Sequence, residues 1–80
     1  MKKETVDYHY DLLGVYIREA RKRIGMNQEK LAKEMGISRA TLLQWEKGRT
    51  KIYLHHFIYL YEKFPLIRIY TKNLTKEVLK

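Results

Sequence analysis

Three glycines, Gly25, Gly36 and Gly48, each stand just past an apolar pattern of helical period. A residue that closes a helix in the left-handed conformation is cheapest as glycine, so this spacing predicts three short helices in succession. The first is expected from about Asp11 to Ile24, with Leu13, Ile17, Ala20 and Ile24 along one stripe. Gly14 lies in its first turn, a small propensity cost that close packing would explain. The second helix starts behind Asn27 and runs from Gln28 to about Met35, with Leu31, Ala32 and Met35 inward. The third starts behind Ser38 and runs from Arg39 to Lys47.

A fourth helix is expected in "IYLHHFIYLYEKF". Leu54, Phe57, Leu60 or Tyr61, and Phe64 recur at three-to-four spacing, and Pro65 ends it. Ile58 and Tyr59 cannot both join Phe57 and Leu60 in a core, so one is expected on the surface, at a subunit interface. The chain then changes character. Ile67, Ile69 and Thr71 alternate with Arg68 and Tyr70, a pattern that suggests a short strand. A lone strand needs a partner. It can add to another protein, fold back on its own domain, or pair with itself across a homodimer. Self-pairing is preferred here, which makes Ile67, Ile69 and Tyr70 the expected dimer contacts. The chain thus divides into an N-terminal extension (1–10), a helical domain (11–64) and a C-terminal extension (65–80) carrying the candidate dimerisation strand.

Function must accommodate a formal charge of +8, from 17 Lys and Arg against 9 Asp and Glu. The surplus is spread over residues 11–24, 25–51 and 67–80, which fits a folded basic domain better than a disordered arm. Such a surface favours polyanions, nucleic acid first and acidic lipid second. Charge alone suits a plain soluble basic protein equally well. There is no cysteine to make a disulfide or thiolate site. The opening "MKKETVDYHY" has no apolar run behind its lysines, and no window approaches the ~20 apolar residues of a membrane span, so a cytoplasmic protein is expected. No basic amphipathic helix with a bare apolar face argues for membrane attachment.

No nucleophile–base pair, glycine-rich phosphate loop or paired carboxylates suggest an enzyme. Asp7 and Asp11 are most simply capping residues. His55 and His56 are adjacent, about 100° apart around a helix, and do not chelate as i, i+4 histidines do. His9 has no companion nearby, so neither metal nor cofactor is expected.

The third helix is the informative one. Stepping about 100° per residue puts Thr41, Leu42 and Trp45 on one side and Arg39, Ala40, Leu43, Gln44 and Lys47 on the other. Ordinary exposed faces carry acid–base ladders at four-residue spacing. This face carries no acid, although Glu46 sits on its flank. Arginine can contact guanine with two hydrogen bonds, glutamine can do so with adenine, and alanine or leucine can meet a thymine methyl. Lys47, Arg49 and Lys51 follow at the helix end, where phosphates would be positioned. Asn27 and Gln28 begin the second helix, whose free N–H groups and dipole favour a phosphate oxygen.

With these residues in view, "YIREARKRIGMNQEKLAKEMGISRATLLQWEKG" resembles the lambda-repressor-like (Cro/Xre-type) helix-turn-helix family. The resemblance runs from about Leu13 to Phe64. It rests on Arg21, Gly25, Asn27-Gln28, Leu31-Ala32, Gly36-Ile37-Ser38, Leu42, and Glu46 followed by Gly48. It implies an all-α, compact bundle of four to five helices that binds operator DNA, usually as a two-fold dimer, with the third helix in the major groove. By the same resemblance Gln28, Arg39, Ala40 and Gln44 approach bases or orient those that do; Leu43 joins them from its place on the outer face. Asn27, Lys47, Arg49 and Lys51 match phosphate-facing positions, and Arg21 and Glu46 an internal ion pair. The chain departs from the family in "RTKIYLHHF", where a proline often follows the turn, and in its aromatic-rich fourth helix. The expected function is a homodimeric, sequence-specific transcriptional regulator, a repressor, that binds double-stranded DNA without cofactor. The rival is a module of the same fold that captures a protein partner.

Overall fold

The computed structural model describes the backbone of residues 2–79 and the side chains of residues 11–73. Asp7 and His9 therefore lie outside the described side chains. Five helices follow one another: α1 (Lys2–Arg23), α2 (Gln28–Met35), α3 (Arg39–Glu46), α4 (Leu54–Lys63) and α5 (Pro65–Leu79). No strand occurs among the described residues. The fold is an all-α bundle in which α1 packs against both α3 and α5, α2 against α3, and α4 against α5.

Helices as short as α2 and α3 are marginal in isolation, so their ends and inner faces must hold them. The Asn27 side chain accepts the Lys30 N–H at 2.8 Å, and Ser38 Oγ accepts the Thr41 N–H at 3.0 Å. Each bond satisfies one of the donors that a helix start leaves open. Between the two caps, Gly36 turns the chain at φ 70°, and the Ile37 N–H reaches the Ala32 carbonyl at 3.0 Å. The left-handed residue closes α2, and α3 starts three residues later, at a new angle.

One core serves every element. Leu13, Ile17 and Ala20 of α1 meet Leu31 and Ala32 of α2, Leu42 and Trp45 of α3, Leu60 and Phe64 around α4, and Ile67 and Tyr70 of α5. Burying a side chain of this size fully is worth about 1.5–3 kcal/mol. Ile24 departs from expectation: α1 stops at Arg23, Ile24 is exposed, and Met26 enters the core beyond the Gly25 turn. Gly14 is where α1 touches α3. A Cβ there would stand 2.5 Å from the Trp45 carbonyl oxygen and 2.6 Å from that of Glu46. Only a bare backbone lets the end of α3 lie so close.

The C-terminal run corrects the strand expectation. Pro65 ends α4, but it also occupies the first turn of α5, where its missing N–H costs nothing. Phe64, extended as a residue before proline should be, makes the corner. Leu60, Phe64, Ile67 and Tyr70 then continue a single three-to-four spacing through the corner into the core, with the Tyr70 ring 5.3 Å from that of Tyr16. The Thr71 hydroxyl donates to the Ile67 carbonyl, a helical i to i−4 contact. Strand alternation would put Ile67 and Ile69 on one face, whereas the helical period keeps Ile67 with Phe64 and Tyr70 and turns Ile69 outward, and burial on that one face selected the helix. Of the three residues expected to dimerise, Ile67 and Tyr70 are inside their own bundle, and only Ile69 is exposed.

On the opposite flank, Glu34 braces α2 to α4. Its Oε1 accepts the Tyr59 hydroxyl at 3.1 Å and lies 3.1 Å from Lys63 Nζ. The ammonium holds the Glu34 carboxyl below its ordinary pKa, while burial first, and the carboxylate second, push the Tyr59 phenol up. Tyr59 is accordingly half-buried, and Ile58 takes the surface position.

Candidate functional site

A run of hydrogen bonds locks the α2–turn–α3 unit from behind. Arg21 of α1, 8% exposed, donates from Nε to Glu46 Oε2 at 2.8 Å and from Nη2 to Glu46 Oε1 at 3.1 Å. Its Nη1 donates to the Met26 carbonyl at 2.9 Å. Such a two-pronged contact is geometrically restrictive, so it sets the position of α3 relative to α1. Glu46 Oε1 also accepts Gln28 Nε2 at 3.0 Å, and Gln28 Oε1 accepts Arg39 Nε at 3.3 Å. The Gln28 amide has one orientation here, because its oxygen must face the guanidinium and its nitrogen the carboxylate. The run therefore carries order from a buried helix out to the exposed first turn of α3.

The same bonds shape the electrostatics of the outer face. Glu46, the acid on the flank of α3, is buried and neutralised by Arg21. What remains outside is cationic and neutral. Arg39, Ala40 and Lys47 are exposed; Leu43 and Gln44 are half-buried; Leu42 and Trp45 anchor the helix from within. Gln28 is half-buried beside this face, and Asn27, Arg49 and Lys51 are exposed at its two ends.

Two grooves border the face. One, of about 370 Å³, opens at the start of α2 between Arg21, Asn27, Gln28, Glu29 and Arg39. The other, of about 590 Å³, separates Thr41, Gln44 and Trp45 of α3 from Lys51, Tyr53 and His56. Tyr53, Thr41 and His56 of this second groove were not singled out by the sequence as site residues. The available signal was the aromatic "IYLHHF" standing where the family often has proline. The His55 and His56 rings also come together, at 4.1 Å between centroids, rather than diverging as the helical step suggests. His56 lies 5.3 Å from the Trp45 ring, and its Nδ1 is buried without a hydrogen-bond partner. Burial first, and the His55 charge second, hold its pKa below the ordinary histidine value.

Among the described residues no group of three or more His, Asp or Glu side chains suits a metal ion, and no described helix is long and apolar enough to cross a membrane.

The family model described as helix-turn-helix matches residues 17–54, a segment reaching from the last third of α1 to the first residue of α4. Over 33 residues the chain is 52% identical to a Methanothermobacter thermautotrophicus protein called an uncharacterized HTH-type transcriptional regulator. That stretch covers 41% of this chain and 48% of the relative, so the chain spans about half the length of the protein it matches. No solved structure matches the chain significantly.

Proposed function

We propose, on the premise that residues 17–54 belong to the helix-turn-helix family, that this chain is a sequence-specific, double-stranded-DNA-binding regulator of transcription, acting as a repressor in the cytoplasm. The observation that carries the reading is the outer face of α3. It is open, free of acid, and held from behind by the Arg21–Glu46–Gln28–Arg39 run. In this reading α3 enters the major groove. Arg39, Ala40, Leu43 and Gln44 meet base edges there, with Gln28 orienting Arg39. Asn27, Lys47, Arg49 and Lys51 hold phosphates on either side and carry no sequence preference of their own.

The protein binds as a homodimer in the same reading. Leu54, Ile58 and Tyr61 lay an exposed apolar stripe along α4 at four- and three-residue spacing, and a second copy supplies its cover. A captured protein partner is the competing occupant of that stripe.

Selection from random duplexes tests the proposal. The expected outcome is a palindromic consensus with half-sites ~34 Å apart, one turn of DNA. Arg39→Ala and Gln44→Ala each weaken the selected duplex by about 1–3 kcal/mol and relax its base preference. Lys51→Ala weakens all duplexes alike and lowers the salt slope by about one unit. A selection that returns no consensus overturns the regulator reading in favour of protein capture; a consensus without two-fold symmetry overturns the dimer.

A further inference from the structure

The groove beside Lys51 has an unusual floor. Trp45 and Tyr53 make it aromatic, and His56 stands between them with a buried Nδ1 that spends no hydrogen bond inside the protein. A structural histidine is ordinarily held in one tautomer by a partner on one of its nitrogens. His56 has no such partner at Nδ1, so no hydrogen bond inside the protein fixes its tautomer from that side. Gln44 lines the groove and also belongs to the outer face of α3. The opening is thus adjacent to the face that the DNA-binding reading turns toward base edges.

Building on the DNA-binding reading, we infer that this groove seats a backbone phosphodiester of the bound duplex, and that His56 takes up a proton as the phosphate arrives. The charged groups in place agree. Lys51 and Tyr53 face His56 from the segment between α3 and α4, Trp45 from α3, and His55 from α4 itself. The His55 charge disfavours a further positive charge on His56, and no acid lines the groove to offset it. A phosphate reverses that balance, since an anion nearby favours imidazolium. Burial first, and the His55 charge second, already hold the free ring's pKa below the ordinary histidine value, so a bound anion has room to raise it.

The sign follows from linkage. A group whose pKa rises on binding makes the complex tighter as pH falls. The dependence is confined to the window between the free and bound values. Affinity for a random-sequence 24-base-pair duplex, measured from about pH 5 to 8 at constant ionic strength, should then strengthen by up to about tenfold per pH unit within that window. His56→Gln flattens the profile; His55→Gln leaves most of it. Circular dichroism melts check that both variants fold. Proton NMR of the wild-type protein follows the His56 ring directly and needs no variant: its pKa should rise with duplex and rise less with inorganic phosphate alone.

A wild-type affinity indifferent to pH overturns the inference. So does a slope that survives His56→Gln, or an NMR pKa equally raised by free phosphate, which would mark a simple anion site. Failure to bind any duplex at any pH is a different result, and sinks the DNA-binding reading itself.

Discussion

Arg39 Nε donates to Gln28 Oε1 across 3.3 Å, joining the first turn of α3 to the first turn of α2. The bond is exposed, so its own strength in water is small. Its value lies in direction: Gln28 is already held by Glu46, and Arg39 inherits that placement.

If Gln28 positions Arg39, the two are not independent. Gln28→Ala, Arg39→Ala and the double variant, titrated against the selected duplex, should show a coupling of about 0.5–3 kcal/mol. Additive losses would mean that Gln28 reads DNA alone or not at all.

Glu46 is the centre of the run, and its loss leaves the Arg21 charge buried and unmatched. Glu46→Ala should cost about 3–5 kcal/mol in urea unfolding. The paired replacement Arg21→Met with Glu46→Leu should cost much less than either single change, because no lone charge remains. Equal costs for the single and paired variants would count against burial of the ion pair.

Gly14 sets two effects against each other. Alanine is the better helix former by about 1 kcal/mol. Its Cβ, however, would meet the backbone carbonyls of Trp45 and Glu46, which cannot rotate aside as a side chain can. The clash should win, and Gly14→Ala should lower stability by about 1–3 kcal/mol in a thermal melt. A stabilised variant would show that α1 and α3 sit further apart.

Ile67 and Ile69 separate the helix from the strand. On a strand they share a face and respond alike. On α5 Ile67 is fully buried and Ile69 is 51% exposed. Ile67→Ala should therefore cost about 2–5 kcal/mol, whereas Ile69→Ala should stay within about 0.5 kcal/mol for the isolated chain. Similar losses at both positions would return this segment to a sheet-like pairing.

The helix boundaries of α2 and α3, their caps at Asn27 and Ser38, and the inward faces with Leu31, Leu42 and Trp45 were legible from residue order. So was the outer face of α3, since rotation per residue alone assigns its members. Where residue order and structure differ, one cause recurs. Helical period places Ile24 inward, yet α1 ends one residue earlier and Met26 takes that place in the core. Ile69 and Thr71 alternate convincingly, but Phe64 and Tyr70 had cover available only along a helical stripe.

Residue order by itself determined the local structure around α2 and α3: those two helices, their caps, the turns at Gly25, Gly36 and Gly48, and the sign of the surface charge. These follow from hydrogen bonds and steric preferences among residues a few positions apart. The tertiary structure alone decided that α5 completes the core, that Gln28 bridges Glu46 to Arg39, and that His56 stands on the floor of a groove beside Lys51. Each of those depends on the distance between elements remote in the chain, and that distance is set by packing, which no local pattern encodes.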